Sequence, residues 1–259
     1  MIRPHLRLPL LLSCAALAAC TTTGPRGEEA RLLGLADDIN QRGDHATAAA
    51  MYERALEMSA DSPDIHVRLG KARLAAGNAQ AARAAFRTAL TLDIENPEAL
   101  LGLGTTQLQL GEVEGAARNL QKAAPQLDTR QAWSRLGVAH ALLGQGEAAQ
   151  HAFSRAVALA PRDPDTLTNL ALAHSLVGEN TEAVTLMQRV SDSPLAEQRH
   201  FRNLILVLVL AQDPELAASA TIPDMPDALR QSLIERAQRI AEIADPVERA
   251  RAMGLAMAK

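Results

Sequence analysis

The chain repeats itself with a period of 34. "LLGLADDINQRGDHATAAAMYERALEMSADSP" ends at Pro63, and "HVRLGKARLAAGNAQAARAAFRTALTLDIENP" ends at Pro97. "LLGLGTTQLQLGEVEGAARNLQKAA", "WSRLGVAHALLGQGEAAQHAFSRAVALAPRDP" and "LTNLALAHSLVGENTEAVTLMQRV" follow in the same register. A Gly recurs at Gly43, Gly77, Gly111, Gly144 and Gly178. A small residue recurs at Ala48, Ala82, Ala116, Ala149 and Ala183. Four residues later comes a large one: Tyr52, Phe86, Leu120, Phe153 and Met187. One residue is lost between Gly111 and Gly144, in the Pro125–Arg130 turn. A unit of this length cannot bury its own apolar face, so the chain must stack its units into an array.

Within each unit the apolar residues recur at spacings of three and four, the pattern of amphipathic helices packed on a seam. The body is rich in Ala and Leu, has few β-branched runs, and holds only three Phe, one Trp and one Tyr. Those are helix formers, and they predict an all-α protein. A small residue at Gly70, Gly104, Gly137 or Ala171 lets the second helix of a unit approach the first closely. The other recurring Gly turns the chain between the two helices.

These units resemble tetratricopeptide repeats. Trp133, Leu136 and Gly137 open the fourth in the W-x-x-L-G form, and Pro161 closes it. The resemblance implies a right-handed superhelical solenoid of helix pairs, with about five to six repeats. It also implies a concave groove lined by the first helix of each pair. Carried over position by position, that groove comprises Leu33, Asp37 and Asn40, then Val67, Lys71 and Leu74, then Leu101, Thr105 and Leu108. Val138, Leu142, Leu172, Leu176, Leu206, Val209 and Leu210 continue it. The Lys/Asn/Arg set of the chaperone-binding carboxylate clamp is absent, and the row is largely aliphatic. Such a groove suits an amphipathic helix from a protein partner. The competing reading puts some of these side chains against the neighbouring repeat or the cap, as core.

A sixth unit, Arg202 to Ala220, keeps register at Leu204 and Ala217 but has Gln212 where the others have Gly. "TIPDMP" then breaks the chain. Asp227–Ala244 reads as an amphipathic helix with Leu229, Leu233, Ala237, Ile240 and Ile243 on one stripe. Asp245-Pro246 ends it, and a last short helix is expected to run to about Ala258. A solenoid needs a terminal cap with a polar outer face, and this pair is expected to supply one. Whether it caps the end or folds back into the groove is open at this stage. The expected organisation is residues 1–19 as signal peptide, 20–28 as lipidated Cys and tether, 29–223 as repeats and 224–259 as capping helices.

Leu8–Ala19 is an apolar run far shorter than the roughly 20 residues a membrane span needs. Arg3 and Arg7 precede it and small residues end it, as in a signal peptide. Leu17-Ala18-Ala19-Cys20 resembles the lipobox of bacterial lipoproteins. The resemblance implies a diacylglycerol thioether on Cys20 and cleavage before it. A second match, Leu11-Leu12-Ser13-Cys14, leaves too short an apolar core before it. Cys14 departs with the signal, so no disulfide is expected. Thr21 follows in place of Asp, which by resemblance to enterobacterial sorting favours the outer membrane, periplasmic face. Two or three acyl chains anchor stably where one does not.

Lys and Arg number 26 against 30 Asp and Glu, and the signal removes two Arg and no acid, which argues against a nucleic-acid partner. No motif carries catalysis. The seven His are dispersed. His140 and His174 stand at equivalent places in adjacent repeats and read as helix-packing residues rather than metal ligands. Gly102–Thr106 lies inside a helix and lacks the P-loop Lys. The Asp93–Asn96 turn reads as a helix cap rather than a calcium loop. The expectation is a non-enzyme, with no metal, no small-molecule substrate and no cofactor beyond the lipid on Cys20.

The overall plan, with "NLILVLVLAQDPELA" and the Asp/Pro break at Arg199–Pro226, resembles the TadD family of tight adherence (Flp) pilus assembly lipoproteins. That resemblance implies help in folding, inserting or assembling an outer-membrane secretin. Gln212-Asp213 and the long tail after Pro226 depart from it. BamD-like outer-membrane protein assembly, a PilF/PilW-like type IV pilus pilotin and an NlpI-like scaffold for peptidoglycan enzymes share the same general plan and stay open.

Overall fold

A computed structural model of the chain describes residues 25–220 and 222–254. The signal, Cys20 and the first part of the tether lie outside them, as do the last five residues. The described residues form helices and no strand. They pair in chain order as α1 (Pro25–Gln41) with α2 (His45–Leu56), and α3 (Pro63–Ala75) with α4 (Ala79–Leu92). Next come α5 (Pro97–Gln109) with α6 (Val113–Leu127), and α7 (Arg130–Leu142) with α8 (Gly146–Leu159). Then α9 (Pro164–Leu176) pairs with α10 (Asn180–Ser191), and α11 (Gln198–Leu210) with the stub α12 (Pro214–Ser219). Two further helices, α13 (Asp227–Ala241) and α14 (Pro246–Met253), complete the described chain. Helix α1 begins inside the stretch read from sequence as tether.

The prolines that end the sequence units, Pro63 and Pro97, are the first residues of the following helices. There Pro costs no hydrogen bond and its fixed φ suits the helix. Ser62, Asn78, Asn96, Thr129 and Asp163 precede helices and accept a backbone N–H with their side chains. Each such cap stabilises its helix by about 1 kcal/mol. Between the two helices of a pair, the recurring Gly adopts φ between +71° and +90°, a conformation open to Gly at little cost.

The first helix of each pair, the A helix, packs on the B helix of its own repeat and on that of the one before. The seam is built from the recurring pairs of large and small residues. Ala48, Ala82, Ala116, Ala149 and Ala183 have no exposed surface, and Tyr52, Phe86, Leu120, Phe153 and Met187 are buried beside them. The Phe86 ring sits 2.7 Å from where a β-carbon on Gly70 would stand, and Gly102 of the next A helix closes over its other side. Leu120 lies on Gly104 and Phe153 on Gly137 in the same way. Polar ties also join the first two repeats: the Tyr52 hydroxyl and the Arg68 guanidinium both donate to Asp37.

From α3 onward, each A helix also touches the A helix of the next repeat, so the A face is the inner side of the array. Helix α13 packs on α11 and α12, where a cap belongs. Its buried stripe is Ile234, Ala237 and Ile240, with Leu233 partly covered; Leu229, in the exposed first turn, is left out of it. Helix α14 does something else. It returns over the inner side and lies on α7 and α9. It ends at Met253, short of the expected Ala258, because Gly254 turns left-handed with φ +69°.

Candidate functional site

The inner side is assembled from the A helices, and the residues assigned to it from sequence fall into three groups. Val67, Leu101, Leu108, Val138, Leu172, Leu206 and Val209 are buried. Contact between successive A helices covers those toward the N-terminus, and every residue of α5 from Ala99 to Leu108 is buried. Leu33, Leu74, Leu142, Leu176 and Leu210 are half-buried. Of these, Leu142, Leu176 and Leu210 are the last residues of α7, α9 and α11, one per repeat, packed against the apolar core.

The third group is polar and already engaged. Lys71 is exposed and pairs with Glu98 at 2.8 Å. Asp37 holds Tyr52 and Arg68, Asn40 bonds His45 at 2.8 Å, and Thr105 is buried. His140 and His174 meet Gln145 and Glu179 at 2.6 and 2.7 Å across the turns of their own repeats. His174 also meets Gln150 of the preceding repeat. They brace the turns, and among the described residues no group of three or more His, Cys, Asp or Glu could hold a metal.

Between α7 and α9 the inner face carries a polar pocket of about 320 Å³ lined by Arg130, Gln131, Ser134, Arg135, Asp165 and Asn169. Burial and the neighbouring Arg130 hold the Arg135 guanidinium below its usual value. Arg130 pairs with Asp163 at 2.8 Å. Burial pushes the Asp165 carboxyl up, but hydrogen bonds from Arg199 and His200 outweigh it and leave its pKa below the usual carboxylate range. These bonds lock the start of α11 onto α9.

Helix α14 occupies part of this face. Ala250 and Met253 are buried in the same apolar cluster as Val138, Leu172, Leu206 and Val209. Pro246 and Val247 approach Gly144, where an added β-carbon would lie 3.2 Å from the Val247 methyl. Sequence reasoning did not choose between capping and folding back because α14's signal is a few small apolar residues, Val247, Ala250, Ala252 and Met253, interleaved with three charges.

The tetratricopeptide-repeat family model matches residues 101–164 and 135–196. The model of the middle TPR-like domain of cilia and flagella-associated protein 70 matches residues 32–132. Among solved structures, PilF of Pseudomonas aeruginosa is similar at 18% identity and TM-score 0.63, covering 88% of this chain and 99% of that one. The chain is a tetratricopeptide solenoid. MamA of Desulfovibrio magneticus RS-1 has the same fold at 20% identity and TM-score 0.57, over 63% of this chain and 93% of that one. So does YrrB, described as a TPR protein with an unusual peptide-binding site, at 18% identity and TM-score 0.57, over 73% and 92%. No curated protein matches. Among the described residues of the solenoid, no helix is long and apolar enough to cross a membrane.

Proposed function

We propose that the solenoid is a non-catalytic adaptor that binds a helical segment of a protein partner on the inner face of its A helices. One observation carries this reading: an amphipathic helix, the chain's own α14, already lies on α7 and α9. A surface that accepts one such helix has the width and apolar character to accept another. The peptide-binding site ascribed to YrrB supports peptide binding on this fold.

The partner and the place come from the N-terminus and the resemblance to TadD. A lipid on Cys20 holds the solenoid at the periplasmic face of the outer membrane. There it assists assembly of a secretin for the tight adherence (Flp) pilus. The likeness to PilF over most of both chains favours a second reading of the same class, a type IV pilus pilotin. Deleting the gene tests both. The expected result is loss of secretin multimers and of pili, with Cys20→Ala reproducing the loss and abolishing palmitate labelling. Normal multimers and normal pili in the deletion strain contradict the reading.

A further inference from the structure

We propose that α14 is a displaceable occupant of the partner site, and that the partner's segment is an amphipathic helix with modest-sized apolar side chains at i, i+3 and i+6 and an acidic flank. The inference rests on the inner face being the binding surface. It adds what fills that surface at rest and what chemistry replaces it.

The geometry has three parts. First, α14 is not needed to close the array. Helix α13 already covers α11 and α12, whereas α14 runs back over α9 and α7, one and two repeats inward. Second, it is held weakly. Its span, Pro246–Met253, is about two turns, too short to be helical on its own. Among the described residues its polar bonds stay within the C-terminal segment: Arg249 donates to the Ile243 carbonyl at 2.8 Å, and Asp245 caps the Glu248 N–H at 2.7 Å. Its contact with the repeats is apolar: Val247, Ala250 and Met253 at spacing three, with Pro246 and Ala252 beside them. Third, the fit is incomplete. A cavity of about 220 Å³ lies between α11, α13 and α14, lined by Leu206, Leu233, Ile240 and Met253.

The rim supplies the sign of the partner's charge. Arg199, Arg202 and Arg236 line the same cavity, and Arg130 lines the pocket on α7. Asp163 offsets Arg130, and Asp165 and Glu197 offset Arg199, which leaves the positive character to Arg202 and Arg236. The helix that now lies there brings Arg249 and Arg251 alongside Glu248 and the N-cap Asp245. A partner with acids in place of those arginines gains an attraction to Arg202 and Arg236 that α14 lacks.

The test uses the full mature chain and a labelled peptide of residues 245–254 in which Arg249 and Arg251 are replaced by Glu. In the chain, Ala250→Asp places a carboxylate at a position with no exposed surface and expels α14. The peptide is expected to bind this variant at least tenfold more tightly than the parent, and the unaltered peptide is expected to bind it more weakly. Equal binding to parent and variant, or binding to neither, overturns the proposal. Hydrogen exchange on the unsubstituted chain gives an answer even if Ala250→Asp fails to fold. Saturating peptide is expected to speed exchange of the α14 amides at least tenfold, and unchanged exchange overturns the proposal. If α14 stays in place while deletion still costs secretin multimers, this proposal fails alone. If α14 is displaced but deletion leaves secretins and pili normal, the adaptor reading fails alone.

Discussion

At the scale of single residues, the fold turns on where a β-carbon is missing. The Phe86 ring fills the space between Gly70 and Gly102, and a β-carbon on Gly102 would overlap it. Gly102→Ala is therefore expected to destabilise the chain by about 1–3 kcal/mol, as overpacking does. Gly34 offers the opposite case, because it lies in α1 with nothing within 4 Å of the added carbon. Gly34→Ala is expected to stabilise by about 0.5–1 kcal/mol through helix propensity alone. Urea unfolding midpoints for the two variants should move in opposite directions. The small-and-large alternation behind this was legible in the sequence, since Gly70 with Phe86 and Gly137 with Phe153 recur in register. The second contact of Phe86, with Gly102 of the next repeat, was not. It depends on how tightly neighbouring A helices converge, and a period carries no curvature.

At the scale of elements, the repeat boundaries followed the sequence closely because Gly and Pro fix backbone geometry locally. Gln212 is the informative exception. It has φ +60° in the position held elsewhere by Gly43, Gly77, Gly111, Gly144 and Gly178. The sixth turn therefore forms although its usual residue is gone, and α12 after it is only a stub. A non-Gly residue in this conformation costs about 1–2 kcal/mol, part of which Gly gives back as unfolded-state entropy. Gln212→Gly is expected to stabilise by about 0.5–1 kcal/mol and to raise Tm by roughly 1–4 °C in a thermal melt. The Pro125–Arg130 turn shows the converse. Asp128, with φ 43°, ends α6 there and bonds both the Trp133 ring nitrogen, at 2.8 Å, and Arg155. Sequence spacing showed that a residue was missing in this turn, but not that one carboxylate would tie three elements together. The C-terminal helices were legible as helices. Their path was not, because α14 has too few apolar residues to mark which surface it seeks.

At the scale of the whole molecule, the proposed adaptor role rests on a helical array whose A helices form an apolar inner side. The inner side is less open than a row of aliphatic positions implied. Contact between A helices buries Leu101 and Leu108, and α14 lies across α7 and α9. On the proposed reading, the half-buried leucines Leu142, Leu176 and Leu210 are the positions a partner helix covers. Site-specific photocrosslinking in living cells tests this most directly, with the photoreactive residue at Leu142 or Leu176 and, as outside controls, at Ile94 and Leu195, which are 79% and 65% exposed. The account predicts covalent capture of an outer-membrane secretin from Leu142 and Leu176 and none from Ile94 or Leu195. Capture of that partner from Ile94 or Leu195, with none from the inner positions, would contradict it.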